Sequence, residues 1–148
     1  MNDEPPHTWD VISKYMPSGM DRSKSNSDNF ISVWIAFNAW MKGKYGSKLT
    51  DKELLDKTKT DTIAISAFTS LKKRNANILY SFSKFEIVNK KTGKSNRYKG
   101  TLVSLIDALY VIRGNTFHGY DYSGRESELY QLAFAILHAF ALKIFMLS

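Results

Sequence analysis

Cysteine is absent from the 148-residue chain. That absence excludes a structural disulfide, a thiolate zinc site and a cysteine nucleophile together, and it fits a cytoplasmic protein. Proline is confined to Pro5, Pro6 and Pro17. With Gly19 and the polar run from Ser23 to Asp28 they make residues 1–27 a poorly ordered or loosely docked segment, carrying at most one short helix around Trp9, Val11, Ile12, Tyr15 and Met16. Phosphate-cradling glycine loops, an HExxH pair and grouped carboxylates are all missing. The three histidines are scattered, so neither a metal nor a cofactor is expected. The acidic start, Met-Asn-Asp-Glu-Pro-Pro, has no apolar stretch of the kind a secretory signal needs. The apolar run from Leu132 to Leu147 falls short of the ~20 residues of a membrane span and is interrupted by His138 and Lys143. It reads as a core helix, and no membrane partner is expected.

What is present suffices for one packed core. Hydrophobic residues make up 43% and aromatics 14% of the chain, too much for a disordered sequence. The formal net charge of +7 is unevenly placed: residues 42–99 hold fifteen basic and five acidic side chains, while both flanks are slightly acidic. A concentrated basic region suits a polyanionic partner such as RNA, by counterion release and steering. A solvated lysine-rich surface explains the same composition equally well.

Apolar periodicity predicts an all-α domain over residues 28–148. Phe30, Trp34, Phe37 and Met41 recur at helical spacing from about Asp28 to Lys42, with Ile31, Ile35 and Trp40 widening the buried stripe and Gly43 and Gly46 ending it. Asn38 falls inside that stripe and needs a hydrogen-bond partner, as a structural residue or as part of a site. Thr50-Asp-Lys-Glu53 has the form of a capping box and opens a helix to about Thr58, which resumes or bends through Ile63, Ile65 and Phe68. A further helical stretch spans about Leu71 to Phe85. Residues 86–100 form a basic loop or a small hairpin around Thr92-Gly93. Lys90, Lys91, Lys94, Arg97 and Lys99 are its candidate RNA-binding cations, and Tyr98 a candidate base-stacking ring or part of an ordinary loop. Thr101 can cap a helix from Leu102 to about Ile112. Ser123-Gly-Arg-Glu126 is a second capping box, opening a long helix to about Leu147. That helix is apolar nearly all round, and is central to the core or buried between subunits. His138 within it reads as a satisfied core histidine.

The chemically informative segment is Arg113-Gly-Asn-Thr-Phe-His118-Gly-Tyr120. On a straight helix residues five apart lie ~140° apart, so Arg113 and His118 would not face one substrate. Gly114 as a left-handed C-cap would turn the chain after Arg113 and bring a cation, the Asn115 amide and an imidazole together. These groups suit metal-free phosphodiester cleavage. The histidine moves a proton at neutral pH, the arginine grips the non-bridging oxygens, and in RNA the 2′-hydroxyl is already the nucleophile. One histidine cannot easily be both base and acid, so a two-fold dimer pairing two copies of the site is expected. The alternative is structural, with Arg113 capping helix carbonyls and His118 fixing the turn.

Arg113 and His118, with four residues between them at the junction of the last two helices, resemble the R-x(4–6)-H signature of the HEPN superfamily. Phe30-x-x-x-Trp34-Ile-Ala-Phe-Asn-Ala-Trp40 is similar to the first core helix of its Apea-like branch. The extension to Tyr120 resembles the R-x4-H-x-Y form of HEPN toxins paired with minimal nucleotidyltransferases. The resemblance covers roughly residues 28–148. It implies a HEPN-type helical bundle, homodimerisation and metal-independent endoribonuclease activity in toxin–antitoxin or antiviral defence systems, with Arg113 and His118 catalytic. The position after the arginine, polar in such proteins, is Gly114 here, and the nearest amide is Asn115. By the same resemblance Tyr120 would accept adenylate from a nucleotidyltransferase antitoxin; otherwise it packs its ring across the turn. The alternative function is a non-catalytic HEPN domain binding RNA, a nucleotide or a protein partner.

Overall fold

The computed structural model describes residues 8–117 and 125–148, and it is all-α with one two-stranded hairpin. In chain order the elements are α1 (Thr8–Tyr15), α2 (Asn26–Tyr45), α3 (Asp51–Thr58), α4 (Thr62–Arg74), α5 (Ala76–Ser83), β1 (Ile87–Val88), β2 (Ser95–Asn96), α6 (Leu102–Phe117) and α7 (Arg125–Leu147).

The core is organised by α7. It is long and apolar enough over Ser127–Leu147 to cross a membrane, contrary to the length expected from sequence, but half of that stretch is buried in the fold. It packs against α2, α4 and α5. Leu129, Ala133, Ile136, Leu137, Phe140 and Ile144 are inaccessible or nearly so. Phe37 of α2 meets Phe140 edge-on at 5.9 Å and stacks with Trp40 at 6.3 Å. Truncating such a phenylalanine costs about 3–5 kcal/mol. His138 is a satisfied helix residue, as its context suggested: Nε2 lies 2.7 Å from the Pro17 carbonyl, and the ring lies against Phe134.

Several boundaries differ from those the sequence suggests. From Thr8 onward the N-terminal segment has contacts with α2. Ile12 is buried, the Ser32 hydroxyl donates to the Tyr15 carbonyl at 2.5 Å, and the Asn29 carboxamide bridges the backbone of Asp21 and Ser25. Helix α2 passes through the buried Gly43 and stops at Gly46, whose φ of +120° disfavours a side chain. The single stretch expected from Leu71 to Phe85 is broken at Asn75, which has non-helical angles and lets α5 turn its own face, Leu79 and Phe82, inward. The capping box at Thr50 and Glu53 is realised in both directions, and Thr101 caps α6 by accepting from the Ser104 amide. Ser123 lies outside the described residues.

One carboxylate joins the far end of α2 to the start of α4. Asp61 caps α4 by accepting from the Ile63 and Ala64 amides, at 2.8 and 3.2 Å, while its other oxygen takes the Tyr45 hydroxyl at 2.5 Å and the Lys44 ammonium at 2.6 Å. Burial pushes its pKa upward, but the lysine, the tyrosine and the two amides outweigh that and hold it below the ordinary aspartate value. Because the folded value is the lower one, the stabilisation is present at neutral pH and lost as the pH falls through the folded value. Asp61→Asn should therefore cost roughly 2–3 kcal/mol at pH 7. Urea denaturation should show that gap shrinking as the pH falls below the ordinary aspartate value of about 4, and closing only when the native carboxylate, held lower, also protonates.

Candidate active site at the α2–α3–α6 seam

Helix α6 does not end where the glycine suggested. It runs through Gly114 to Phe117, and Gly114 does not adopt positive φ. A glycine inside a helix costs about 1 kcal/mol relative to alanine, and two side-chain contacts keep the last turns helical. Thr116 returns its hydroxyl to the Ile112 carbonyl at 2.9 Å and meets the Tyr130 hydroxyl of α7. Asn115, which is 2% exposed, accepts from the Lys90 amide at 2.8 Å and donates to the Val88 carbonyl at 2.9 Å.

The helical path separates residues that a turn would have gathered. Positions two apart on a helix point to nearly opposite sides, so Asn115 faces the hairpin and Arg113 faces α2 and α3. His118 and Tyr120 lie outside the described residues. Arg113 is one quarter exposed; its Nη2 sits 3.0 Å from Asp51 Oδ2, and its guanidinium lies 4.1 Å from the centre of the Phe117 ring. The other Asp51 oxygen accepts from Asn38 Nδ2 at 3.1 Å. Asn38 thus has a partner, a carboxylate placed at the first position of α3 by the Thr50 cap. At this exposure the ion pair contributes on the order of 1 kcal/mol; its larger effect is to fix where the guanidinium stands.

The seam also holds two buried donors with no acceptor among the described residues, Arg113 Nε and Trp34 Nε1. Trp34 stacks on Tyr110, one helical turn before Arg113. Such N–H groups cost about 1–3 kcal/mol each when unsatisfied, the kind of debt tolerated at functional sites. Asp51 escaped the sequence reading because an acidic residue beside a capping box already has a local explanation. The required partner of Asn38 was the available signal.

The basic segment is a hairpin, with β1 and β2 antiparallel and Gly93 at φ +75° in its turn. Lys90, Lys91, Lys94, Arg97 and Lys99 are exposed on it, although Arg97 also donates to the Ser83 carbonyl at 3.1 Å. Lys94, Arg97 and Lys99 border a shallow recess of about 420 Å³ that also contains Asp107. Tyr98 is not available to stack a base. It is 6% exposed and packs between Phe68 and Phe82, anchoring the hairpin to the core. No group of three or more histidine, aspartate or glutamate residues able to hold a metal occurs among the described residues.

No family model, curated protein or solved structure matches the chain.

The Asn115 contacts yield a direct prediction. Asn115→Ala leaves the Val88 carbonyl and the Lys90 amide without this partner, and should destabilise the fold by about 2–3 kcal/mol. Hydrogen exchange should accelerate most at Lys90, with the core amides of α7 changing only as far as global stability falls. Unchanged exchange at Lys90 would show that the carboxamide does not hold the hairpin.

Proposed function

We propose that this chain is a metal-independent endoribonuclease of the HEPN type, acting as a homodimer in the cytoplasm, with Arg113 and His118 as its catalytic pair. The observation that carries this reading is the state of Arg113. It stands in the last turns of α6, a quarter exposed, oriented by Asp51 and Phe117. Its Nε is buried without a partner among the described residues, while the quarter-exposed guanidinium end is the part that can meet a phosphate. His118 follows this helical segment directly in the chain. In the proposed reaction one His118 removes the 2′-hydroxyl proton, and the oxygen attacks the adjacent phosphorus. The P–O5′ bond breaks, and the His118 of the second subunit protonates the leaving oxygen. The products are a 2′,3′-cyclic phosphate and a 5′-hydroxyl, and Arg113 stabilises the added negative charge on the non-bridging oxygens. Asn115, committed to the hairpin, supports the site from behind. A toxin or antiviral defence role, with Tyr120 modified by a nucleotidyltransferase partner, extends the same reading.

A second reading is favoured by the Asp51–Arg113 pair itself: an arginine already matched by a carboxylate is also what a non-catalytic domain that binds RNA, a nucleotide or a protein would keep. Arg113→Lys separates the two. It preserves charge and reach to Asp51 but loses the bidentate fork. For the enzyme, cleavage of single-stranded RNA should fall by roughly 100-fold or more with little change in Tm. Wild-type cleavage should persist in excess EDTA, and a 2′-deoxy substrate should resist. RNA that is bound but never cut, by a protein that sediments as a monomer, would decide for the second reading.

Hairpin binding is tested separately. Neutralising Lys90, Lys91, Lys94, Arg97 and Lys99 should weaken RNA binding and flatten its salt dependence, by roughly 0.7 in log–log slope for each phosphate that the variant no longer neutralises. An unchanged slope would return these lysines to a solvated surface.

A further inference from the structure

Away from the Arg113 seam, α4 and the C-terminal half of α7 enclose a groove of about 170 Å³. Its floor is Ala67 and Leu71, Leu142 and Met146 form an apolar wall, and Arg74 and Lys143 supply the charge. Leu142 is 43% exposed and Met146 70% exposed, one helical turn apart on α7. The charge lining the groove is one-sided: Arg74 and Lys143 are its cations, and no aspartate or glutamate lines it. The sequence has none from residue 62 to 85 or from 129 to 148. Neither Arg74 nor Lys143 forms an ion pair among the described residues.

We propose that this groove docks an acidic amphipathic helix of a partner protein, whose apolar residues enter between α4 and α7 while its carboxylates meet Arg74 and Lys143. Helix-in-groove recognition needs an apolar trough with anchors at helical spacing, and a flexible methionine adapts such a trough to its ligand. Charge complementarity selects the partner's sign. A second copy of this chain fits poorly, because an isologous contact sets the same patch against itself and would face cation with cation. RNA fits poorly too: none of the lining residues is aromatic, so the bases would have nothing to stack on.

The test uses the full chain and fluorescence anisotropy. The probe is a synthetic amphipathic helix with leucines on one face and glutamates on the other; comparison ligands are its lysine-for-glutamate counterpart, oligouridylate and phosphatidylserine vesicles. The acidic peptide should bind with a salt-dependent affinity. Leu142→Gln with Met146→Gln, or Arg74→Glu with Lys143→Glu, should each weaken it roughly tenfold or more. The charge-reversed protein should gain affinity for the lysine peptide. Lys90→Gln with Lys94→Gln, on the distant hairpin, should leave peptide binding unchanged. All altered side chains except Lys143 are exposed, and circular dichroism checks that each variant is folded. Absence of peptide binding, or binding indifferent to the groove variants, overturns the proposal. So does oligouridylate or vesicle binding that exceeds peptide binding and is lost on reversing Arg74 and Lys143, or a dimer that the Leu142 and Met146 changes dissociate. None of these readings depends on RNA cleavage, so the groove and the proposed activity stand or fall separately.

Discussion

A helix of 23 residues with apolar side chains on most of its circumference has to be enclosed before anything else in this chain can settle. The enclosure of α7 needs more than one neighbour, and α2, α4 and α5 supply most of it. That requirement explains why α4 and α5 are separate. A continuous helix would hold one direction and cover one stripe of α7, whereas the break at Asn75 presents Ala67 and Leu71 from one helix and Leu79 and Phe82 from the next. It also explains the composition of α2, which has no simple polar face because it is buried on two sides. Phe37 meets α7, while Trp34 stacks on Tyr110 of α6.

The candidate site is a consequence of that double burial. Once α2 is fixed between α7 and α6, Asn38 lies one turn beyond Trp34 at the edge of the α2–α6 contact, and a half-buried carboxamide there needs a partner. Asp51 supplies it, held in place by the capped start of α3, and its second oxygen reaches Arg113. The guanidinium is therefore positioned by three helices that meet for reasons of packing. Asp51 both orients the cation and partly offsets its charge, a balance set by the geometry of one carboxylate shared between an amide and a fork.

How far the sequence discloses this depends on the range of the forces involved. The Thr50–Glu53 box, the turn at Gly93 and the Thr101 cap are determined within a few residues, and all were legible. The apolar stripe of α2 and the burial of α7 were legible because periodicity reports burial whatever the partner is. The end of α6 was not. Gly114 permits a turn but does not require one, and the chain stays helical where Asn115 finds two backbone partners 25 and 27 residues earlier. Tyr98 misled for a related reason. Its neighbours Arg97 and Lys99 are solvent-facing, and only the tertiary fold shows that the ring between them points back at Phe68 and Phe82. The arginine of the candidate pair was found by its motif, whereas its orienting carboxylate lies 62 positions earlier with no local mark.

Charge follows the same logic. The basic excess of residues 42–99 looks like one electrostatic footprint in the linear chain, but the fold divides it. Lys44 is used in the Asp61 cluster, and Lys59 is shared between Asp56 and Asp107. Arg74 lines the α4–α7 groove, and Lys72 lies over the Phe68 ring. The hairpin cations remain, and Asn115 fastens that hairpin to the last turns of α6, two residues from Arg113. The tie is short and buried, so the hairpin and the end of α6 form one mechanical unit, even though Asn115 and Arg113 face opposite sides of the helix. A polyanion held along the hairpin would thus be referenced to the helix that carries the guanidinium. Counterion release on such binding would scale with the cations on this one surface rather than with the +7 of the whole chain.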